Sequence, residues 1–83
     1  MTKTYVPRGV CSRKIDIEIE DGVIKNVAFL GGCHGNLQGI SALVKGKKPE
    51  DIIAVLKGIS CNGRGTSCPD QLAKALEQMI SEA

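Results

Sequence analysis

The sequence predicts an α+β fold: a small antiparallel sheet of two or three strands, followed by three helices packed on one face. Three observations predict it. Residues 15–20 alternate apolar and polar, and an Asp-Gly pair then leads into a second strand-like run, Val23 to Leu30, richer in apolar residues on both parities, the mark of strands joined by a tight turn. The rest of the chain carries three apolar runs at helical spacing, each punctuated by Gly or Pro. Strands come first and helices after, which favours segregated layers over an alternating parallel sheet.

The elements follow in order. "TYVP" is a candidate short edge strand, stopped by Pro7. Ile15, Ile17 and Ile19 alternate with Asp16, Glu18 and Glu20, so one face of the next strand is apolar. Asp21-Gly22 is the hairpin turn, and Val23 to Leu30 return as the second long strand. Gly31 and Gly32 end the sheet. Leu37, Ile40, Leu43 and Val44 line a first helix, with Asn36 as its candidate N-cap and Gly46 as its stop. Pro49 opens a second helix, with Ile52, Val55 and Leu56 on one face and Gly58 at its end. The third helix runs from about Pro69, lined by Leu72, Ala73, Leu76, Met79 and Ile80. Pro69 suits a first turn because no N–H partner is needed there. Ser67 or Cys68 is then the N-cap, and Asp70 meets the positive end of the helix dipole.

Length and composition bound the function. The 83 residues, 10 of them Gly, make one domain over residues 1–83. Tyr5 and Phe29 are the only aromatics, so the core is modest. Domains of this size draw on metals, disulfides or oligomer contacts for stability, and a homodimer is one such contact. The net charge of +2 is too small to argue for nucleic acid. Lys45, Lys47 and Lys48 form the basic cluster, read as a solvated turn because it follows a helix and precedes Pro49, and without interleaved aromatic residues it is no stacking platform for a nucleic-acid strand. No stretch approaches the ~20 apolar residues of a membrane span, and "MTKTYVPRGVCS" has no apolar core of a signal peptide. The expected compartment is the cytoplasm, where thiols stay reduced.

That makes the four cysteines the centre of interest. Cys11 precedes the first long strand, Cys33 follows the second, Cys61 lies in the loop after the second helix, and Cys68 opens the third. None sits in an apolar stripe, where a packing cysteine belongs. Cys33 and Cys68 stand at helix N-termini, whose unpaired N–H groups favour thiolate over thiol. Glycines flank both the Cys33 and the Cys61–Cys68 segments. The gaps C-x21-C-x27-C-x6-C contain no CxxC pair, so no zinc-finger spacing is present. Ligands need only meet in space, however. Zn²⁺ takes four thiolates, or three with an imidazole, and Fe–S clusters take four thiolates. His34 is the candidate substitute ligand. A nucleophile elbow and a P-loop lysine are both missing, and a stand-alone catalyst is not expected.

The stretches "YVPRGVCS", "IEIEDGVIKNVAFLGGCHGNLQGISALVKG" and "LKGISCNGRGTSCPDQLAKAL" resemble the TSCPD domain, with the eponymous residues at Thr66 to Asp70. The resemblance covers nearly the whole chain. It implies an accessory module linked to adenosylcobalamin-dependent ribonucleotide reductases, and hence to deoxynucleotide synthesis. It also implies metal binding through Cys11, Cys33, Cys61 and Cys68, with a reductase and a nucleotide as partners. More distantly, the layout is similar to the NifU/IscU iron–sulfur scaffold fold. There, three cysteines at the positions of Cys11, Cys33 and Cys68 meet at one end and bind Zn²⁺ or a cluster. This chain departs from the scaffolds at Arg13, where they carry Asp, and at Ser67, where they carry His. It adds Cys61. A fourth thiolate closes a site, and closed thiolate sites are structural.

Three functional expectations follow. The first is a metal-binding accessory module with a four-thiolate site, zinc preferred over an Fe–S cluster. The second is a redox module in which Cys61 and Cys68 cycle between dithiol and disulfide to deliver electrons to a reductase. The third is a cluster-assembly scaffold, against which Arg13 and Ser67 argue.

Overall fold

The computed structural model describes residues 2–7, 9–10, 12–31, 34–59 and 65–82. Strands β1 (Thr2–Tyr5), β2 (Ser12–Glu20) and β3 (Val23–Gly31) form one antiparallel sheet in the order β1-β2-β3. Helices α1 (His34–Val44), α2 (Pro49–Leu56) and α3 (Cys68–Glu82) follow. The fold is the α+β arrangement that the sequence predicts, with "TYVP" contributing the edge strand β1.

The hairpin forms for a local reason. Asp21 and Gly22 both hold positive φ, 53° and 75°, as a two-residue turn matching the strand twist requires. Alternation then does its work. Ile15, Ile17 and Ile19 of β2 face inward with Ile24 and Val27 of β3. They form one core with Val44 of α1, Ile52 of α2, and Leu72, Ala75, Leu76 and Met79 of α3. Burying each large aliphatic side chain contributes roughly 1.5–3 kcal/mol. α2 packs along α3 and α1 along β3.

The α1–α2 turn braces the sheet. Ile24 N–H donates to Lys47 O at 2.8 Å, and Gly46 N–H donates to Ile24 O at 2.7 Å. This turn covers one end of the outer edge of β3. It also shows where the lysine cluster goes: Lys45, Lys47 and Lys48 are all exposed, as a solvated turn requires. On the other edge of the sheet, Lys3 Nζ of β1 lies 2.7 Å from Glu82 Oε1 of α3.

Four expectations need correction. Leu43 is 74% exposed and Val55 is 66% exposed, although both were expected on buried faces. The residues that face the core are Pro49, Ile52, Ile53 and Leu56 in α2, and Leu37, Ile40 and Val44 in α1. Leu43 and Val55 each stand one residue before the last of these, about a quarter turn away. Asn36 lies inside the first turn of α1, because that helix begins at His34. Ile80 is 37% exposed, and Ala75 takes a place in the core instead.

Candidate functional site

The mouth of α3 is built by the run Thr66–Asp70, and each residue of it has a distinct task. Ser67 is the N-cap. Its Oγ accepts the Asp70 N–H at 3.1 Å, and its carbonyl accepts the first intrahelical bond, from Gln71 N–H at 2.8 Å. Ser67 therefore caps and Cys68 is the first helical residue, which resolves the choice that the sequence left open. Pro69 follows in the first turn, where its missing N–H costs nothing.

Asp70 does more than meet the helix dipole. It is buried, with 1% of its surface exposed. Gly58 N–H donates to its Oδ1 at 2.6 Å, and Thr66 Oγ1 donates to its Oδ2 at 2.6 Å. Lys74 Nζ, one turn on, lies 3.3 Å from Oδ2. Burial works against ionisation here. The hydrogen bonds from Thr66, Gly58 and Lys74, with the charge of Lys74, outweigh it and hold the carboxyl below its ordinary value of 3.8. The carboxylate thus fastens the end of α2 to the start of α3.

The network reaches the edge strand. Gln71 Nε2 donates to Thr66 Oγ1 at 2.9 Å, and Tyr5 O–H donates to Gln71 Oε1 at 3.3 Å. Gly9, at φ +72°, passes close enough that an added Cβ would stand 3.3 Å from Thr66 Cγ2. The segment leading to Cys11 therefore runs against the Thr66–Asp70 turn.

Cys68 points into this corner. It is 9% exposed, and its Sγ lies 3.2 Å from Ser12 Oγ. Ser12 is itself buried, and it pairs with Gly31 across the sheet. Ser12 is the chain neighbour of Cys11, and Gly31 is two residues before Cys33. Gly58 and Ile59 lead towards Cys61 from one side and Gly65 from the other. At the mouth of α3 meet Ser12, the chain neighbour of Cys11, Gly58, three residues before Cys61, and Cys68 itself. Cys11, Cys33 and Cys61 lie outside the described residues, as does the side chain of His34. Among the described residues, no three His, Cys, Asp or Glu side chains gather as a metal ion needs. No helix among them is long and apolar enough to cross a membrane.

A groove of about 440 Å³ runs between β3 and α1, lined by Val27, Phe29, Gly31, Leu37, Gln38 and Ser41 among others. Among the described residues its lining carries no titratable side chain.

The family model of the TSCPD domain matches residues 1–80. The chain belongs to the TSCPD domain family. No curated protein and no solved structure matches it. The family's naming motif is the α3 mouth itself, and its five residues divide the labour described above: Thr66 and Asp70 fasten, Ser67 caps, Cys68 begins the helix and presents its sulfur, and Pro69 fits its first turn.

Sequence reasoning missed the fastening. Ser67 and Asp70 stand three apart, the spacing of a capping box, and that signal was legible. In a capping box the acid reaches back to the cap's own N–H. Here Asp70 reaches forward in space to Gly58 instead, which no local pattern announces. Ser12 also went unnoticed, because its burial depends on how β2 and β3 pair.

Proposed function

We propose that this TSCPD domain is a metal-binding accessory module in which Cys11, Cys33, Cys61 and Cys68 each supply a thiolate to one ion. Zinc is the preferred ion and an Fe–S cluster the alternative. The observation that carries this reading is the Ser12–Cys68 contact, 3.2 Å across the mouth of α3. It sets the one described cysteine beside the chain neighbour of Cys11, and the sheet pairing sets Gly31 beside the same residue.

The donor set fits the group. Cys68 sits at the first position of a helix, where backbone N–H groups offset negative charge, and its sulfur meets a hydroxyl. Four thiolates around Zn²⁺ make a closed site with no open position for a substrate. Such an ion is a cross-link. It ties β2, the β3–α1 connection, the α2–α3 loop and α3 together, and its binding energy becomes folding energy. The functional context follows the family resemblance: a cytoplasmic module that docks with an adenosylcobalamin-dependent ribonucleotide reductase, in deoxynucleotide synthesis.

Elemental analysis of anaerobically purified protein, with an absorption spectrum on the same sample, tests the site. About one zinc per chain and no visible band is the expected result. Iron with a broad brown absorption moves the reading to a cluster. No metal, with four titratable thiols, overturns it. Calorimetric titration against the reductase tests the partner, and no heat of binding would remove the reductase from the reading.

A further inference from the structure

The pairing of β2 with β3 slips by one residue near the cysteine end. Lys14 pairs with Leu30 and Ile15 with Phe29, but Ser12 pairs with Gly31. Arg13 is therefore the extra residue of a β-bulge. A bulge changes which face the following side chains occupy. In strict alternation, Ser12 would share the outer face with Lys14 and Asp16. With Arg13 inserted, Ser12 turns to the face of Ile15, Ile17 and Ile19 and is 3% exposed. There its hydroxyl has Cys68 Sγ as partner, 56 residues away in sequence.

We infer that Ser12 is a positioning residue for the metal site, and that the Arg13 bulge exists to aim it. The inference rests on the four-thiolate reading and deepens it. A metal-bound thiolate carries no proton, so at 3.2 Å the Ser12 O–H must be the donor and the Cys68 sulfur the acceptor. That bond removes electron density from the sulfur and fixes the Cys68 rotamer towards the corner where Ser12, the chain neighbour of Cys11, lies. Partners that orient a ligand in this way commonly contribute 10- to 100-fold to metal affinity. Ser12 does not touch the ion. It acts through Cys68.

The test uses the full chain, purified reduced and without oxygen. Zinc affinity is measured by competition with a chromogenic chelator for the wild type, Ser12→Ala and Ser12→Thr. Cobalt(II) is then loaded into each, and the thiolate-to-metal charge-transfer band is recorded. Ser12→Ala should lose about 10- to 100-fold in zinc affinity. Its cobalt band should move to lower energy, because a sulfur without a donor gives up its electrons more easily. Ser12→Thr, which keeps the hydroxyl, should restore both. Thr and Val have nearly the same shape, so Ser12→Val against Ser12→Thr reads the hydroxyl alone should the alanine variant fail to fold. A wild type that holds metal, with folded Ala and Val variants of unchanged affinity and an unmoved band, overturns the inference while leaving the four-thiolate reading intact. A wild type that binds neither metal overturns that reading, and this inference with it.

Discussion

Asp70 Oδ1 accepts the Gly58 N–H at 2.6 Å, and this bond closes the α2–α3 junction over a buried carboxylate. The same carboxylate holds Thr66, and through Thr66 it holds Gln71 and Tyr5. Removing it strands several donors at once. Asp70→Ala should therefore destabilise the fold by about 2 kcal/mol, the scale of losing hydrogen bonds to a charged acceptor. Asp70→Asn, which keeps the shape and one carbonyl acceptor, should lose less. Urea unfolding of the three proteins measures both. Equal midpoints for the wild type and Asp70→Ala would show that the junction is held by apolar packing alone.

Acid should expose the same carboxylate. The folded protein holds Asp70 below its ordinary value of 3.8, whereas the unfolded chain does not. The unfolded state therefore takes up the proton first as pH falls. The stability that Asp70 supplies is complete above about pH 5, well clear of its ordinary value, and it drains away as pH drops towards the folded value. The difference in unfolding free energy between the wild type and Asp70→Asn should shrink over that window. A difference that stays constant from pH 6 down to pH 3 would contradict the shift.

Metal removal should act on stability, because the proposed ion joins four segments. Chelation of the loaded protein should lower the melting temperature by roughly 10 °C or more, given that 1 kcal/mol moves a domain of this size by about 4–8 °C. Cys68→Ser should lower metal content and melting temperature together. A variant with neither changed would remove Cys68 from the site.

Two glycines should respond in opposite directions to alanine. Gly39 lies within α1, and a Cβ there meets nothing within 4 Å. Gly39→Ala should stabilise by about 0.5–1 kcal/mol through helix propensity and a stiffer unfolded chain. Gly9 holds φ +72° and would press its Cβ against Thr66. Gly9→Ala should cost about 1 kcal/mol or more. Thermal melts of the two variants, side by side, decide it.

The readability of this chain divides along the range of the interactions involved. The β2–β3 hairpin was legible because Asp21-Gly22 and three alternating isoleucines are local signals. The α3 cap was legible for the same reason. Leu43 and Val55 were misassigned because a run of apolar residues three and four apart does not say which side of the stripe meets the core. The sheet decides that, by where it ends. Ser12 was illegible because its burial depends on the Arg13 bulge, a property of the pairing between two strands. Gly58 was illegible as a partner of Asp70 because they meet only after α2 and α3 have packed. The cysteines stood out by residue type and position alone, but the burial of Cys68 on the core side of α3 did not.

The Lys3–Glu82 contact adds little to stability, being an exposed ion pair. Its consequence is topological. Lys3 of β1 and Glu82 of the last turn of α3 reach each other through their side chains, so a linker of several residues can join Thr2 to Glu82. The chain can then be opened elsewhere, at the exposed Asp21–Gly22 turn for example, to give a circular permutant with the same neighbours around Cys68. The same closeness lets the domain be spliced into a surface loop of a host protein, entering and leaving at one point while its cysteine corner stays clear of the junction.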